Sequence, residues 1–194
     1  MSTATARLLP LVMLLAPALA VAAGGKIQTV TDPALPRALS IDGPVSVSWE
    51  DPAGFSEIRF SGNPHQARQG TWVVDLANYL AKQSSAALAP GQHLSLSLTD
   101  IDLAGDFEPW KGPQWQDVRV MRDIHSPRIR LSYTLRNAGG EVIQEGDSVL
   151  SDLSYLHNVG RLQRQGQPLI HEKRMIDRWV HHTLQPTAVS LAGL

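Results

Sequence analysis

Hydrophobic and polar residues alternate along the stretch that begins at Leu94, with leucine at every second position up to Leu98. This period of two predicts a β-strand with one buried face. The apolar positions that follow, from Ile101 onward, are shifted by one residue, and a regular strand cannot keep them on the same face. We therefore predict a strand over Leu94–Ala104 with a β-bulge or a sharp bend near Thr99-Asp100.

Further segments alternate between apolar and polar residues in the same way, which predicts a strand at each. They are Val45–Trp49, Arg128–Arg136 and Glu141–Ser151, and Asp117–Met121 adds a shorter one. The segment Phe55–Phe60 fits either a loop or a short strand, and its pattern does not decide between the two.

The segment Asn137–Gly140 contains residue types typical of a tight turn, since glycine adopts positive φ at little steric cost. The strands on either side of it should therefore pair antiparallel. With the tip at its two central residues, Arg136 would face Glu141 and Arg130 would face Asp147. Cross-strand pairs of opposite charge are worth about 0.2–1 kcal/mol each, so this register is a hypothesis supported by charge alone.

Two segments show apolar residues at the three-to-four-residue spacing that predicts a helix with one buried face. The first is Thr71–Ala89, which Pro90-Gly91 ends. The second begins near Pro168, a residue type favoured in the first helical turn, and ends before Pro186. Its apolar positions are Leu169, Met175, Ile176, Trp179, Val180 and Leu184.

The predicted order of these elements is β-α-β-β-β-β-α. Each strand has one apolar and one polar face, so both helices should cover the same side of the sheet. The sequence thus predicts an α+β fold, with a mostly antiparallel sheet of four to five strands and two helices on one face.

Residues 1–20 have the pattern of a secretory signal peptide. Arg7 supplies the positive charge, Leu8–Leu15 the apolar segment and Ala18-Leu19-Ala20 the small residues of a cleavage site. A second acceptable site would place cleavage after residue 23. The apolar run is shorter than the ~18–20 residues that a membrane-spanning helix needs, so we expect a cleaved signal and no membrane span.

The remaining chain divides by composition. Residues 21–44 are rich in Gly, Pro, Thr and Ala without a sustained period, which is typical of a linker or a loose arm. We expect a single domain over 45–185, followed by a short tail over 186–194. With the predicted signal, this organisation indicates an exported, periplasmic protein.

The chain of 194 residues contains no cysteine, and its formal net charge is −1. The lack of cysteine excludes thiol catalysis, disulfides and cysteine-based zinc sites. The near-balance of charge leaves no basic footprint for nucleic acid or for an anionic membrane surface. The expected partner is therefore an unidentified component of the cell envelope, not a nucleic acid.

Four carboxylates crowd the predicted bend: Asp100, Asp102, Asp106 and Glu108. Counted as a calcium loop, the first two and Gly105 occupy suitable positions, but Lys111 stands where the bidentate carboxylate is required. A looser calcium or magnesium site stays open, because hard cations bind clustered oxygens. We favour a structural role without a cofactor, in which Asp100 and Asp102 bind backbone donors while Asp106 and Glu108 are solvated.

The last predicted helix begins with a partial metal motif. The run His171-Glu172-Lys173-Arg174-Met175 starts like a zinc-protease motif, but methionine stands where the second histidine is required. We expect instead a solvated polar surface that includes Glu172 and Lys173, with Glu172 near the positive N-terminus of the helix. The sequence contains no serine-hydrolase elbow, phosphate-binding glycine loop or dinucleotide fingerprint, and no residue is assigned a catalytic role.

Arginines gather on the polar side of the predicted strands, close in sequence to two tryptophans. They are Arg119, Arg122, Arg128, Arg130 and Arg136, with Trp110 and Trp115. One interpretation is a surface for an anionic envelope partner. The interpretation that we favour is that the arginines pair with Glu141, Glu145 and Asp147 and keep an exposed sheet soluble.

Several blocks of the sequence follow one another in the order typical of a single family. They are Thr99-Asp100-Ile101-Asp102-Leu103-Ala104-Gly105-Asp106, Arg119-Val120, Ile124-x-x-Pro127-Arg128-Ile129, Tyr133-x-Leu135 and Glu172-Lys173-Arg174-Met175-Ile176 before Trp179. Over Val45 to Leu184 the chain resembles a bacterial secreted family catalogued as domain of unknown function 3016. It departs from the family pattern at Glu57, where aspartate is usual, and at His171, where an aromatic residue is commoner. The resemblance implies a signal peptide and these domain limits, and it implies no activity.

Two functions stay open at this point. The first is a non-catalytic periplasmic binding or interaction module that uses the acidic bend, the loop with Trp110 and Trp115 (the tryptophan loop) or the polar sheet face. The second is a metal-binding protein or a metal-dependent hydrolase centred on the acidic bend, with a divalent cation as its cofactor.

Overall fold

A computed structural model describes residues 28–39, 42–157 and 167–184 of the chain. The predicted signal peptide over 1–20 and the predicted tail over 186–194 lie outside the described residues. Among the described residues, no helix combines the length and the apolar character that are needed to cross a membrane.

The structure contains every predicted strand and both predicted helices, together with three short elements that the sequence did not predict. In chain order they are β1 (Val45–Trp49), α1 (Ser56–Arg59), α2 (Pro64–Ala67), α3 (Trp72–Ala87), β2 (His93–Asp102), β3 (Asp106–Phe107), β4 (Arg119–Val120), β5 (Arg128–Arg136), β6 (Val142–Ser151) and α4 (Ile170–Thr183). The segment Phe55–Phe60 is neither the loop nor the strand that its pattern allowed. It forms the single turn α1, preceded by a 3₁₀ turn over Pro52–Gly54.

Four strands form the main sheet in the order β1-β2-β5-β6, and β3 pairs with β4 separately. The pairs β2–β5 and β5–β6 are antiparallel, whereas β1 and β2 are parallel. The α+β class is therefore confirmed, with a mixed sheet. The parallel pair has a topological cause, because the chain between β1 and β2 crosses over through α3 and returns to the same end of the sheet.

The change of phase in β2 is a β-bulge, as predicted. Leu98 pairs with Leu131 and Asp100 with Arg130, which leaves Thr99 as the extra residue. Because the bulge shifts the strand by one residue, apolar side chains on both sides of it stay in the core.

The predicted register of the β5–β6 hairpin is wrong. Arg136 pairs with Val142 and Arg130 with Val149. The turn is longer than two residues, because the side chain of Asn137 accepts hydrogen bonds from the backbone N–H groups of Gly139 and Glu141. The geometry of the turn, together with a second irregularity after Leu135, overrides the small contribution of exposed charge pairs.

Helices α3 and α4 cover the same face of the sheet, which confirms the predicted layering. Their apolar residues and those of the strands form one core cluster. The edge of the Trp179 ring lies against Tyr133 of β5, with 5.5 Å between ring centroids. Between the helices, the hydroxyl of Tyr79 donates to Asp177 at 2.9 Å.

The described part of the predicted arm packs against the domain. Val30 is buried, the N–H of Leu39 donates to the carbonyl of Val47, and the N–H of Trp49 donates to the carbonyl of Arg37. These contacts place residues 37–39 along the outer edge of β1.

Candidate functional site

The bulge in β2 positions Asp100 at the start of α1. Phe55 precedes this helix and has no side-chain oxygen with which to cap it. The carboxylate of Asp100 takes that role, accepting hydrogen bonds from the backbone N–H of Ser56 at 2.7 Å and from its hydroxyl at 2.8 Å. Asp100 therefore binds a backbone donor, as the structural interpretation predicts.

Two buried glutamates from different helices meet the end of β2. Glu57 on α1 accepts the N–H of Leu103 at 3.0 Å, and Glu172 on α4 accepts the N–H of Ala104 at 2.7 Å. Glu172 is thus part of the interior, and the prediction that it lies on a solvated helical face is wrong. The two glutamates give acceptors to consecutive N–H groups that would otherwise be buried without partners.

Arg119 on β4 completes this junction. Its guanidinium forms an ion pair with Glu57, donates to the carbonyl of Gly105 at 2.7 Å and lies 4.7 Å from the centroid of the Phe107 ring. Burial raises the pKa of Glu57 above its ordinary value, and the charge of Arg119 acts in the opposite direction. Arg119 therefore links α1 to the backbone at Gly105 and to the ring of Phe107 in β3.

Asp106 and Glu108 are also bound by the protein, so the prediction that they are solvated is wrong. Asp106 accepts hydrogen bonds from Ser61 and from the N–H of Gly62, both at 3.2 Å. The side chain of Glu108 has no exposed surface and forms ion pairs with Lys111 and Arg122. The pKa of Glu108 is lowered to about 2, mainly by the hydrogen bond from Lys111 and next by the one from Arg122.

Asp102 differs from its neighbours because no described residue donates a hydrogen bond to its carboxylate. Burial raises the pKa of Asp102, and the nearby charges of Asp100 and Asp106 add to this effect. The cross-strand neighbour Arg128 acts in the opposite direction. The predicted role of Asp102 as an acceptor of backbone N–H groups at the bend is therefore wrong.

The side of the bend on which Asp102 lies contains an open cavity of about 260 Å³, here called the bend cavity. Its polar wall consists mainly of Ser56, Glu57, Asp102, Asp106, His125 and Arg128. Exposed apolar side chains of Phe60 and Ile124 stand at its rim. Carboxylates outnumber cations in this wall, so the cavity has a negative character.

The arginines have partners other than those predicted. Arg130 lies 3.9 Å from Asp100, Arg122 binds Glu108, and Arg136 donates to the carbonyl of Gly140. No described ion pair joins any arginine of the set to Glu141, Glu145 or Asp147, which corrects that expectation. The set is therefore distributed among separate local contacts and does not form one basic surface.

The tryptophan loop and the start of α4 lie outside the bend cavity. Trp110 is exposed, and Trp115 is partly exposed with the ammonium of Lys111 5.4 Å from its ring centroid. Lys173 donates to the carbonyl of Pro168 and lies 5.5 Å from the centroid of the Tyr79 ring. These residues are therefore not brought together with the acidic bend.

Metal ligation finds no support in the geometry. Within residues 28–39, 42–157 and 167–184, no group of three or more His, Asp or Glu side chains is placed to hold a metal ion. His171 is buried and its ring packs edge-on against Tyr155, with 4.9 Å between centroids. Burial lowers the pKa of His171, which is typical of a neutral histidine within a core.

Sequence reasoning missed three members of this region: Glu57, the structural role of Arg119, and His125. Glu57 lies in the one segment whose pattern was undecided, and its departure from the family pattern was the only sign of it. His125 lies in a loop without periodicity, so no sequence signal connected it with the bend. Its ring nitrogen Nε2 lies 3.5 Å from Glu108.

No curated protein and no solved structure matches the chain. One protein family does match, over residues 43–182, which include the acidic bend, the whole main sheet and most of α4. This range covers well over half of the chain and contains every residue of the bend cavity. The chain therefore belongs to the family described as "Protein of unknown function (DUF3016)".

Proposed function

We propose that the protein is a periplasmic, non-catalytic binding module whose ligand occupies the bend cavity. The observation that supports this most directly is the contrast between Asp102 and the other carboxylates around it. Asp100, Asp106 and Glu57 accept hydrogen bonds from the protein itself, whereas Asp102 lines the cavity without a donor among the described residues. A part-buried acceptor in an open cavity is suited to a donor from a ligand.

The cavity wall also indicates the class of ligand. Glu57 is paired with Arg119, which leaves Asp102 and Asp106 against Arg128 in the wall and favours a ligand with a positively charged amino group near Asp102. The hydroxyl of Ser126 supplies a further hydrogen-bonding group, and the rim residues Phe60 and Ile124 offer apolar contact. A volume of about 260 Å³ suits a molecule of the size of an amino acid or a small amine.

The same contacts support a non-catalytic role. A general base must be free to take a proton from the substrate. Glu57 and Asp106 already accept hydrogen bonds from the backbone, so their lone pairs are directed at the protein and neither can serve as the partner of Asp102 in acid–base chemistry. The acidic residues of the bend thus act first on the backbone, and Asp102 is left as a binding group.

Ligand binding can be tested by NMR with a panel of amino acids, polyamines, short peptides and monosaccharides. We expect compounds with a free amino group to shift the backbone amide signals of Leu103 and Ser126, which line the cavity. The substitution Asp102→Asn should abolish these shifts, because the amide cannot supply the negative charge. Asp147→Asn, on the exposed face of β6, is the matched control and should leave them unchanged. Shifts that persist in Asp102→Asn, or a panel without any effect, would contradict the proposal.

The periplasmic location is supported by the signal-like pattern over residues 1–20. Fractionation of producing cells and mass spectrometry of the protein should find it in the periplasm, shortened by 20 or 23 residues. Full-length protein confined to the cytoplasm would refute this part of the proposal.

A further inference from the structure

The two outer edges of the main sheet differ in whether another described backbone segment forms hydrogen bonds with them. Residues 37–39 cover the edge of β1 through backbone hydrogen bonds. The outer edge of β6 has no backbone partner among the described residues, although this strand is one of the longest in the sheet. An uncovered strand presents a row of free N–H and C=O groups with which another extended segment can pair.

The side chains of β6 add apolar area to this edge. Val142 is 45% exposed, Ile143 51% and Val149 59%. Because β-branched residues pair well across strands, these three side chains can pack against those of a docked segment. The apolar residues lie towards the two ends of the strand, with a polar centre between them.

The polar centre carries negative charge. Glu145 and Asp147 lie on the same face of β6, and their cross-strand neighbours on β5 are the uncharged Thr134 and Ser132. No ion pair joins either carboxylate to another side chain in the described part of the chain. The edge therefore has two acidic positions without a cationic partner in the sheet.

This charge pattern discriminates between possible occupants. If β6 paired antiparallel with β6 of a second copy about Gly146, Glu145 of each copy would face Asp147 of the other. Like charges placed directly opposite each other destabilise a strand pair. A segment with lysine or arginine at alternate positions would instead form opposite-charge pairs with both residues.

We propose that the edge of β6 docks an extended segment of another protein by strand addition. The segment has basic residues at the two alternate positions that face Glu145 and Asp147, and a β-branched residue beside Val149. Main-chain hydrogen bonds hold it, and the two acidic residues select it. This surface contains none of the residues that line the bend cavity, so it is a second site that goes beyond the proposed ligand binding.

The test uses labelled ten-residue peptides and fluorescence anisotropy with the mature protein. One peptide alternates valine and lysine, a second alternates valine and glutamate, and a third contains the same lysines with prolines between them. We expect only the first peptide to bind. In NMR spectra of the protein, this peptide should shift only the backbone amide signals of β5 and β6. Binding by the proline peptide would show non-specific charge attraction and overturn the proposal.

Charge reversal supplies the decisive comparison. The double variant with Glu145→Lys and Asp147→Lys should weaken binding of the lysine peptide about tenfold or more and allow the glutamate peptide to bind. Glu50→Lys changes an exposed acidic residue beyond β1 and is the matched control. It should weaken binding of the lysine peptide far less. Asp102→Asn should leave peptide binding intact, which separates this proposal from that of the bend cavity.

Two outcomes would overturn strand addition of a basic segment. One is unchanged binding of the lysine peptide after charge reversal. The other is a concentration-dependent dimer of the wild-type protein in analytical ultracentrifugation with amide shifts at β6, since that would identify a second copy as the occupant.

Discussion

Asp100 and Asp102 lie two residues apart on β2, yet within the part of the chain that the structure describes only Asp100 accepts hydrogen bonds. The reason is what packs beside each of them. The first turn of α1 brings the N–H and hydroxyl of Ser56 to Asp100, whereas Asp102 opens towards the bend cavity. The role of a carboxylate is thus decided at each residue by the donors that surround it and not by its place in an acidic run.

The buried hydrogen bond of Glu172 gives a prediction on stability. Glu172→Ala should lower the free energy of unfolding by about 1–3 kcal/mol, because the buried N–H of Ala104 loses its acceptor. Glu172→Gln keeps an oxygen at the same place and should lower the free energy of unfolding clearly less than Glu172→Ala does. Urea unfolding followed by circular dichroism measures both. Equal losses in the two variants would show that this hydrogen bond is not the cause.

The pKa of Glu108 gives a prediction on acid stability. Because its pKa falls from the ordinary value of 4.5 to about 2 in the folded protein, its ion pairs stabilise the fold above pH 4.5. This contribution is lost as the pH falls through about 2. In Glu108→Gln this part of the pH dependence should be absent, as measured by urea midpoints at successive pH values.

The matched control for this pH series is Glu145→Gln, since Glu145 is exposed on β6. Its pH dependence should follow that of the wild-type protein. If Glu108→Gln also retained the wild-type slope in acid, the ion pairs of Glu108 with Lys111 and Arg122 would not stabilise the folded state.

At the scale of elements, the bulge in β2 is the feature that the acidic region depends on. A single extra residue, Thr99, reverses the faces of the strand, so that leucines before it and Ile101 after it all reach the core. The same reversal directs Asp100 towards α1. This feature was readable in the sequence because a change of phase in a period of two is a local signal.

The strand assignment can be tested by a core substitution before the bulge. Leu96→Ala should lower the free energy of unfolding by about 2–5 kcal/mol, because a buried leucine is replaced and a cavity is left. Ser95→Ala, on the exposed face of the same strand, should change it by about 0.5 kcal/mol or less. A small effect of Leu96→Ala in urea unfolding would contradict the placement of this strand in the core.

The hairpin shows why a second local signal failed. Charges on β5 and β6 suggested that Arg136 faces Glu141, but exposed ion pairs contribute too little to set a register. The hydrogen bonds of Asn137 lengthen the turn, and the apolar faces of the two strands then fix the pairing. Turn geometry and burial are therefore the stronger determinants here.

At the scale of the whole molecule, a mixed sheet is covered by two helices on one face, and no described helix covers the other. The acidic bend lies at one end of this sheet, where α1, α4 and β4 converge on the end of β2. Convergence of three elements explains why so many charged side chains are buried there with partners. It also forms the bend cavity beside them.

The alternative function, metal binding at the acidic bend, is testable on the whole protein. We expect no change in melting temperature with calcium, magnesium or zinc relative to chelator, because the carboxylates are directed at different protein donors. A ligand that binds only the folded state at a hundredfold excess over its dissociation constant would add about 2.7 kcal/mol of stability. A cation-dependent rise in melting temperature that disappears in Asp102→Asn would instead favour the metal-binding hypothesis.

The sequence by itself determined the positions of β1, β2, β4, β5 and β6 and of α3 and α4, the buried faces of the main elements, the bulge and the α+β class. These features depend on the periodicity of neighbouring side chains, which the chain displays directly. Family membership was also visible, because its blocks are contiguous runs of residues.

Only the tertiary structure decided which acidic residues are bound by the protein and which one lines a cavity without a donor among the described residues. Glu57 reaches Leu103 across 46 residues, and Glu172 reaches Ala104 across 68. The parallel pairing of β1 with β2 is likewise a matter of how the chain crosses over. The physical reason is that a hydrogen bond between distant residues depends on how whole elements pack, and no local pattern records it.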